Sequence, residues 1–377
     1  MADLSSSDVD EAFTRWTGER GLMLHKIASA RLPGRGVGIV ATERIKAGEC
    51  LLMVPTPALV TAASIPAHVS GPIGPMSVHG LLAATLTLDG AHPGTRRAEW
   101  RHVWPRRSDL DASMPVWWPA PAQDLLPPAA KALLRAQQQK LAHDLDAVVH
   151  AFPEMSRADY AYHWLIVNTR SFYYHPPGNG TTLDAADCMA LCPLADHFNH
   201  AARGCSGTFG PDGFSILSDR TYESGEEVCI SYGHHSNDLL LVEYGFVLAD
   251  NEWDEMRLDH LILPTLTAEQ KSQLDAKGKY VVDRDTVCYR TEVALRLSLV
   301  PVNQWIRFVH GTDEGTREQG KVDEAVATLL EQFRAQAWSS LEEIRQRPRD
   351  ERGRRALETR WTQVLRLLDD HLRRGDV

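Results

Sequence analysis

Two stretches of strand-type sequence stand on either side of a helical block: GRGVGIVATERIKAGECLLMVP at 34–55 and FSILSDRTYESGEEVCISYG at 214–233. Each is a set of short β-branched and apolar runs broken by turn residues, KAG in the first and YESGEE in the second, which is the signature of strands joined by tight turns. Between them the period changes. HGLLAATLTLDG, DLLPPAAKALLRAQQQKLAHDLDAVVHAF and SRADYAYHWLIVNTRSF carry apolar residues at helical spacing. MPVWWPAPAQDLLPP reads as a Pro-rich loop. The two β-rich blocks are therefore expected to form one domain, interrupted by a helical insert at about 60–165.

Beyond about 255 the chain is mostly helical in pattern. TAEQKSQLDAKG, TEVALRLSLV and DEAVATLLEQFRAQAWSSLEEIRQ keep helical spacing, and GRRALETRWTQVLRLLDDHLRR ends the chain as a basic amphipathic helix. A bundle-like C-terminal domain is the reading. The expected boundaries are 20–250 for the split β-rich domain and 255–377 for the helical one. The class is α+β followed by an all-α domain.

The net charge of −10 argues against a general nucleic-acid binder and suits a basic, Lys-containing protein partner. No apolar run is long enough to cross a bilayer, and MADLSSSDVDEAF has no apolar signal core. Six cysteines in 377 residues do not make a disulfide framework. The expectation is an intracellular chain, cytoplasmic or nuclear, with free thiols and no membrane contact.

The densest cluster of chemically capable residues is LCPLADHFNHAARGC at 191–205. Asp196, His197, His200, Cys188, Cys192 and Cys205 are all metal-capable. The cysteines are spaced C-x3-C with no second tight pair, so a zinc knuckle is not expected. A Cys–His nucleophile pair is a weak alternative, because such partners usually meet only in the fold. GRGVG at 34–38 lacks the rest of a phosphate-binding motif, so alone it reads as a tight hairpin.

Taken in order, GRGVGIVATERIKAGE, NTRSF at 168–172, PLADHFNH at 193–200 and SGEEVCISYGHHSNDLLLVEYGF at 224–246 resemble the SET domain of protein methyltransferases. The resemblance is strongest to the branch typified by Rubisco large-subunit lysine methyltransferase. That branch carries a helical insert and a C-terminal helical substrate-binding domain, so the likeness covers nearly the whole chain. It implies short β-sheets with a knot-like core, and S-adenosyl-L-methionine as the cofactor.

The resemblance also implies roles. Asn199 and His200 match the loop that binds the cofactor, at its amino-acid end or its adenine. Gly36, Val37 and Gly38 match the G-x-G that lets backbone approach the methionine moiety. Arg170 matches an arginine near the cofactor, where its fork suits a carboxylate; a structural ion pair is the competing reading. Tyr232 matches the catalytic tyrosine. A phenol of ordinary pKa near 10 is a poor base at neutral pH, so its role is to position and polarise. Phe246 would stack on adenine and Tyr244 would line the substrate channel. As residues two apart on a strand, they would share a face. His197 inherits no role and reads as a surface or packing histidine.

One departure bears on specificity. Lysine-methylating relatives often place a second tyrosine on the strand after the Asn-His pair. This chain has no tyrosine between Asn199 and Asp219, and Phe209 or Phe214 takes that place. The expected activity is methyl transfer to a side-chain nitrogen, lysine first, of a non-histone protein. The alternatives are N-methylation of a small molecule and a non-catalytic binding module.

Overall fold

The computed structural model describes residues 8–90, 97–175, 184–274 and 278–374. The chain divides into two compact units, 1–110 with 136–234 and 111–135 with 235–377.

In the first unit the two β-rich blocks pair with each other. Cys50–Pro55 runs antiparallel to Gly213–Leu217, with Val54 opposite Phe214. Met23–Leu24 and His200–Gly210 complete that four-stranded sheet on its two sides. A second sheet joins Ile27–Leu32, Gly36–Ala41 and Glu227–Val228, with Glu227 opposite Val40. A third, of Val60–Thr61, Met189–Leu191 and Ser171–Tyr173, connects the insert to the core. Leu52, Val54, Phe214 and Ile216, paired across these strands, are buried on one face. Burial of these long-range pairs fixes the register, because a one-residue slip would turn every one of them outward.

The insert packs the helices Val78–Gly90 and Arg157–Arg170 together, with the His79 ring stacked on Trp164 at 4.2 Å. His79 is buried, and burial holds its imidazole down at about 3, so it is a neutral core histidine.

The β blocks are also threaded. Ile230 N donates to Asn199 O at 3.0 Å, Cys205 N to Cys229 O at 2.9 Å, and Ser231 N to Cys205 O at 3.3 Å. Segment 229–231 thus runs between residues 199 and 205 of one loop, bridged in parallel to both His200 and Cys205. This is the knot-like core. Gly204 permits it: a Cβ there would stand 2.7 Å from Cys229 O.

The second unit is helical, with one small antiparallel sheet, Glu255–Arg257 with Val281–Asp283, that the sequence reading did not include. The Pro-rich stretch taken as a loop contains two helical turns, Pro115–Trp117 and Ala120–Gln123. Proline at the first turn of a helix loses no hydrogen bond and supplies the right φ, so these prolines start turns rather than break them. The long helices Gln319–Gln346 and Arg354–Arg374 lie antiparallel, with Arg334 to Asp369 at 2.6 Å and Arg345 to Glu358 at 3.4 Å. Val326, Leu330, Phe333, Ala337, Leu341 and Ile344 bury one stripe against Leu357, Trp361, Val364 and Leu368.

Arg360 is buried in this unit without any exposure. Its Nε donates to Asp238 Oδ1 at 2.7 Å, Nη1 to Asp254 Oδ2 at 2.6 Å and Nη2 to Glu255 O at 3.2 Å. One guanidinium thereby satisfies two buried carboxylates, which hold its pKa above the ordinary arginine value despite burial. Arg360→Leu should lower stability by roughly 3–5 kcal/mol, because two buried carboxylates lose their counter-charge. Urea unfolding checks this; a change below about 1 kcal/mol would mean that water or local rearrangement replaces the arginine.

Candidate active site

The site forms where loop 192–199 enters the threaded core. Leu194 holds a positive φ of 68°, unusual for a side chain of this size, and leads into the short turn Ala195–His197. Four elements secure this turn. Trp100 Nε1 donates to the Asp196 carboxylate at 3.2 Å, and Arg170 Nη1 donates to Asp196 O at 2.6 Å. Ser29 Oγ bonds His197 Nδ1 at 2.8 Å, and the Phe13 ring lies 5.1 Å from the His197 ring. His197 is a packing histidine, buried to 2% exposure. Arg170 braces the loop from beneath, also lying 3.5 Å from Asp196 Oδ2. These are the contacts of the ion-pair reading given above.

The turn delivers Asn199 beside the glycine strand. A Cβ at Gly38 would stand 2.4 Å from Leu32 Cδ1 and 2.8 Å from Asn199 Nδ2, so only glycine lets the amide seat there. Gly36 has a φ of +73° and open space where a Cβ would be. Asn199 Nδ2 donates to Glu227 Oε1 at 2.9 Å. The other carboxylate oxygen of Glu227 accepts from Arg35 Nη1 at 2.6 Å, and Arg35 Nη2 reaches His200 O at 3.4 Å.

His200 and Tyr232 are held as one piece. The backbone N–H of Tyr232 donates to His200 Nδ1 at 3.0 Å, and the two rings stack at 4.9 Å and 25°. A backbone amide can only donate, so this bond uses the lone pair of His200 Nδ1; Ile230 O lies farther from the same nitrogen, at 3.4 Å. The Tyr232 hydroxyl donates to Phe198 O at 2.8 Å. Its proton is committed to that carbonyl, so the phenol oxygen faces any further partner as an acceptor. That geometry suits orienting a nucleophile's N–H and polarising a positive centre; it does not suit a base.

The structure therefore brings together Gly36, Val37, Gly38, Asn199, His200 and Tyr232. It places Phe209 elsewhere, at the hairpin end of the strand His200–Gly210. There it packs on Tyr174 at 4.8 Å and Phe214 at 4.6 Å. Tyr174 is a phenol the sequence reading missed, because a second tyrosine was sought only after Asn199. Tyr244 and Phe246 belong to the second unit. They are not on a strand: Leu240–Tyr244 is a π-helical turn closed by Gly245 in the left-handed conformation. That turn, rather than strand alternation, sets their rings 6.3 Å apart. Burial pushes the Tyr244 phenol up to about 12.

The cysteines stay out of this chemistry. Cys192 is fully buried, and burial beside Asp196 raises its thiol well above the ordinary value. Cys205 Sγ bonds Asp219 Oδ1 at 3.2 Å, not a histidine. Among the described residues no group of His, Cys, Asp and Glu is arranged to hold a metal ion. Glu227, Arg35, Trp100 and Ser29 were not singled out from sequence; Arg35 and Glu227 lie inside quoted motifs, but nothing local pairs them.

The SET domain family model matches residues 36–233, and the chain belongs to the SET-domain family. Its fold is that of a crystal structure of the SET domain of LSMT bound to methyllysine and AdoHcy. The two align at TM-score 0.65 and 17% identity over 99% of this chain and 94% of that one. A structure of Rubisco LSMT bound to sinefungin and monomethyllysine aligns at TM-score 0.62. In sequence, the chain is 25% identical to ribosomal lysine N-methyltransferase set11 of Schizosaccharomyces pombe, over 63% of each chain. It is 25% identical to human SET domain-containing protein 4, over 71% of this chain and 65% of that one. It is also 25% identical to the actin-histidine N-methyltransferase of Danio rerio, over 78% of this chain and 51% of that one. The chain spans less than two thirds of the length of these three relatives.

Gly38→Ala should destabilise the protein by about 1–3 kcal/mol, because Leu32 and Asn199 must both yield. Chemical denaturation measures it; an unchanged midpoint would show that the strand shifts without cost.

Proposed function

We propose that this protein transfers the methyl group of S-adenosyl-L-methionine to a side-chain nitrogen of another protein, with lysine as the acceptor and a non-histone, Lys-containing segment as the substrate. The observation that carries the reading is the joined unit of Asn199, His200 and Tyr232 beside the Gly36–Gly38 strand, within a chain of the SET-domain family. The similarity to ribosomal lysine N-methyltransferase set11 supports the acceptor.

The residues present fit the cofactor. Gly36 leaves backbone open to a close approach, Gly38 makes room for the Asn199 amide, and the oxygen of that amide has no hydrogen-bond partner among the described residues. Asn199 Oδ1 would accept from the ammonium of the amino-acid end. When bound, the cofactor supplies an electrophilic methyl on a positive sulfur. The acceptor must arrive neutral and in line with the bond that breaks, so orientation and exclusion of water carry much of the catalysis. Tyr232 supplies a fixed acceptor oxygen held by Phe198 O, which turns the incoming nitrogen's lone pair toward the methyl.

Tyr232→Phe should slow methyl transfer by about 100-fold with little change in cofactor affinity, since it removes one positioned group and no packing. Labelled-methyl transfer to a protein extract, followed by mass spectrometry of the product, gives both the rate and the modified residue. Wild-type rates in the variant would remove Tyr232 from the chemistry. A methylated histidine in place of lysine would correct the acceptor and leave the cofactor site standing.

A further inference from the structure

The site has a side chain that touches no ligand in the reading above and yet decides how Asn199 can act. An asparagine amide can seat either way round, and the two ends have opposite chemistry: the nitrogen repels an ammonium and the oxygen binds it. Glu227 removes the choice. Its Oε1 is a pure acceptor 2.9 Å from Asn199, so the amide nitrogen must face it. The 2.6 Å Arg35 bond on Oε2 stops the carboxylate from swinging away. Glu227 sits opposite Val40 on the strand next to Gly36–Ala41, and Gly38 leaves the gap through which the amide reaches it. Arg35 also reaches His200 O at 3.4 Å, so one exposed arginine ties together the carboxylate and the backbone of the Asn-His pair.

We propose that Glu227, held by Arg35, is a positioning residue that fixes the orientation of the Asn199 amide and so presents Oδ1 to the ammonium of the cofactor. The inference rests on Asn199 being a cofactor contact. Glu227 acts at one remove, through the amide that it holds. Cys229, beside the same carboxylate, stays a neutral thiol: burial and the Glu227 charge push it up to about 11.

The test is a double-mutant cycle read by calorimetry with S-adenosylmethionine, using wild type, Glu227→Ala, Asn199→Ala and the double variant. Glu227→Ala is expected to weaken binding roughly 10-fold or more, as for loss of one charge-assisted bond. In the Asn199→Ala background the same change is expected to cost little, because its effect passes through Asn199. Glu227→Gln, which keeps an acceptor oxygen of the same reach, is expected to restore most of the affinity. If Asn199→Ala binds too weakly to close the cycle, S-adenosylhomocysteine and its deaminated analogue read the same coupling: only the ligand with the ammonium should lose affinity in Glu227→Ala. Additive losses, equal losses for both ligands, or wild-type affinity in Glu227→Ala would overturn the proposal and leave Glu227 as structural support. No binding by the wild type would instead overturn the functional reading on which it rests.

Discussion

The hydrogen bond from the Tyr232 amide to His200 Nδ1 exists only because segment 229–231 is threaded through loop 199–205. Everything in the candidate site depends on that threading. It stacks the tyrosine on the histidine and aims the phenol proton at Phe198 O. Protein groups alone place the tyrosine and the histidine, which suits a reaction limited by alignment. The cost is backbone that must pass very close to backbone, met at Gly204, and strain at Leu194.

The loop itself is held from outside the β-core. Trp100 and Arg170 both come from the helical insert region and both end on Asp196. The insert is therefore part of the scaffold of the site rather than an ornament on it. The second unit is stabilised by a different device, Arg360 between Asp238 and Asp254. Its two acids lie in and just after the stretch SNDLLLVEYGF, so Tyr244 and Phe246 sit within a segment anchored at 238 and again at 254.

Much of this was legible in the sequence because the informative residues are locally patterned. Gly36 and Gly38, the Asn199-His200 pair and Tyr232 each sit in a short motif, and four motifs in one order define the family. The split of the β-rich domain was legible from the change of hydrophobic period. Other features were not. Glu227 and Arg35 are separated by 192 positions, and only strand pairing makes them neighbours. Trp100 lies in none of the motifs read from the sequence. Tyr244 and Phe246 were misread as strand residues because a short apolar run does not distinguish strand from helix, and a π-helical turn has no local signal at all. The C-terminal sheet escaped notice because three-residue strands are too short to show alternation.

The central claim is that the threaded core is where the cofactor binds. Hydrogen exchange with and without S-adenosylmethionine tests it directly, residue by residue, without presuming an acceptor. The account predicts added protection at 36–38, 198–205 and 229–232, and little change in the paired helices 319–346 and 354–374. Protection confined to other segments, or none at saturating cofactor, would contradict it.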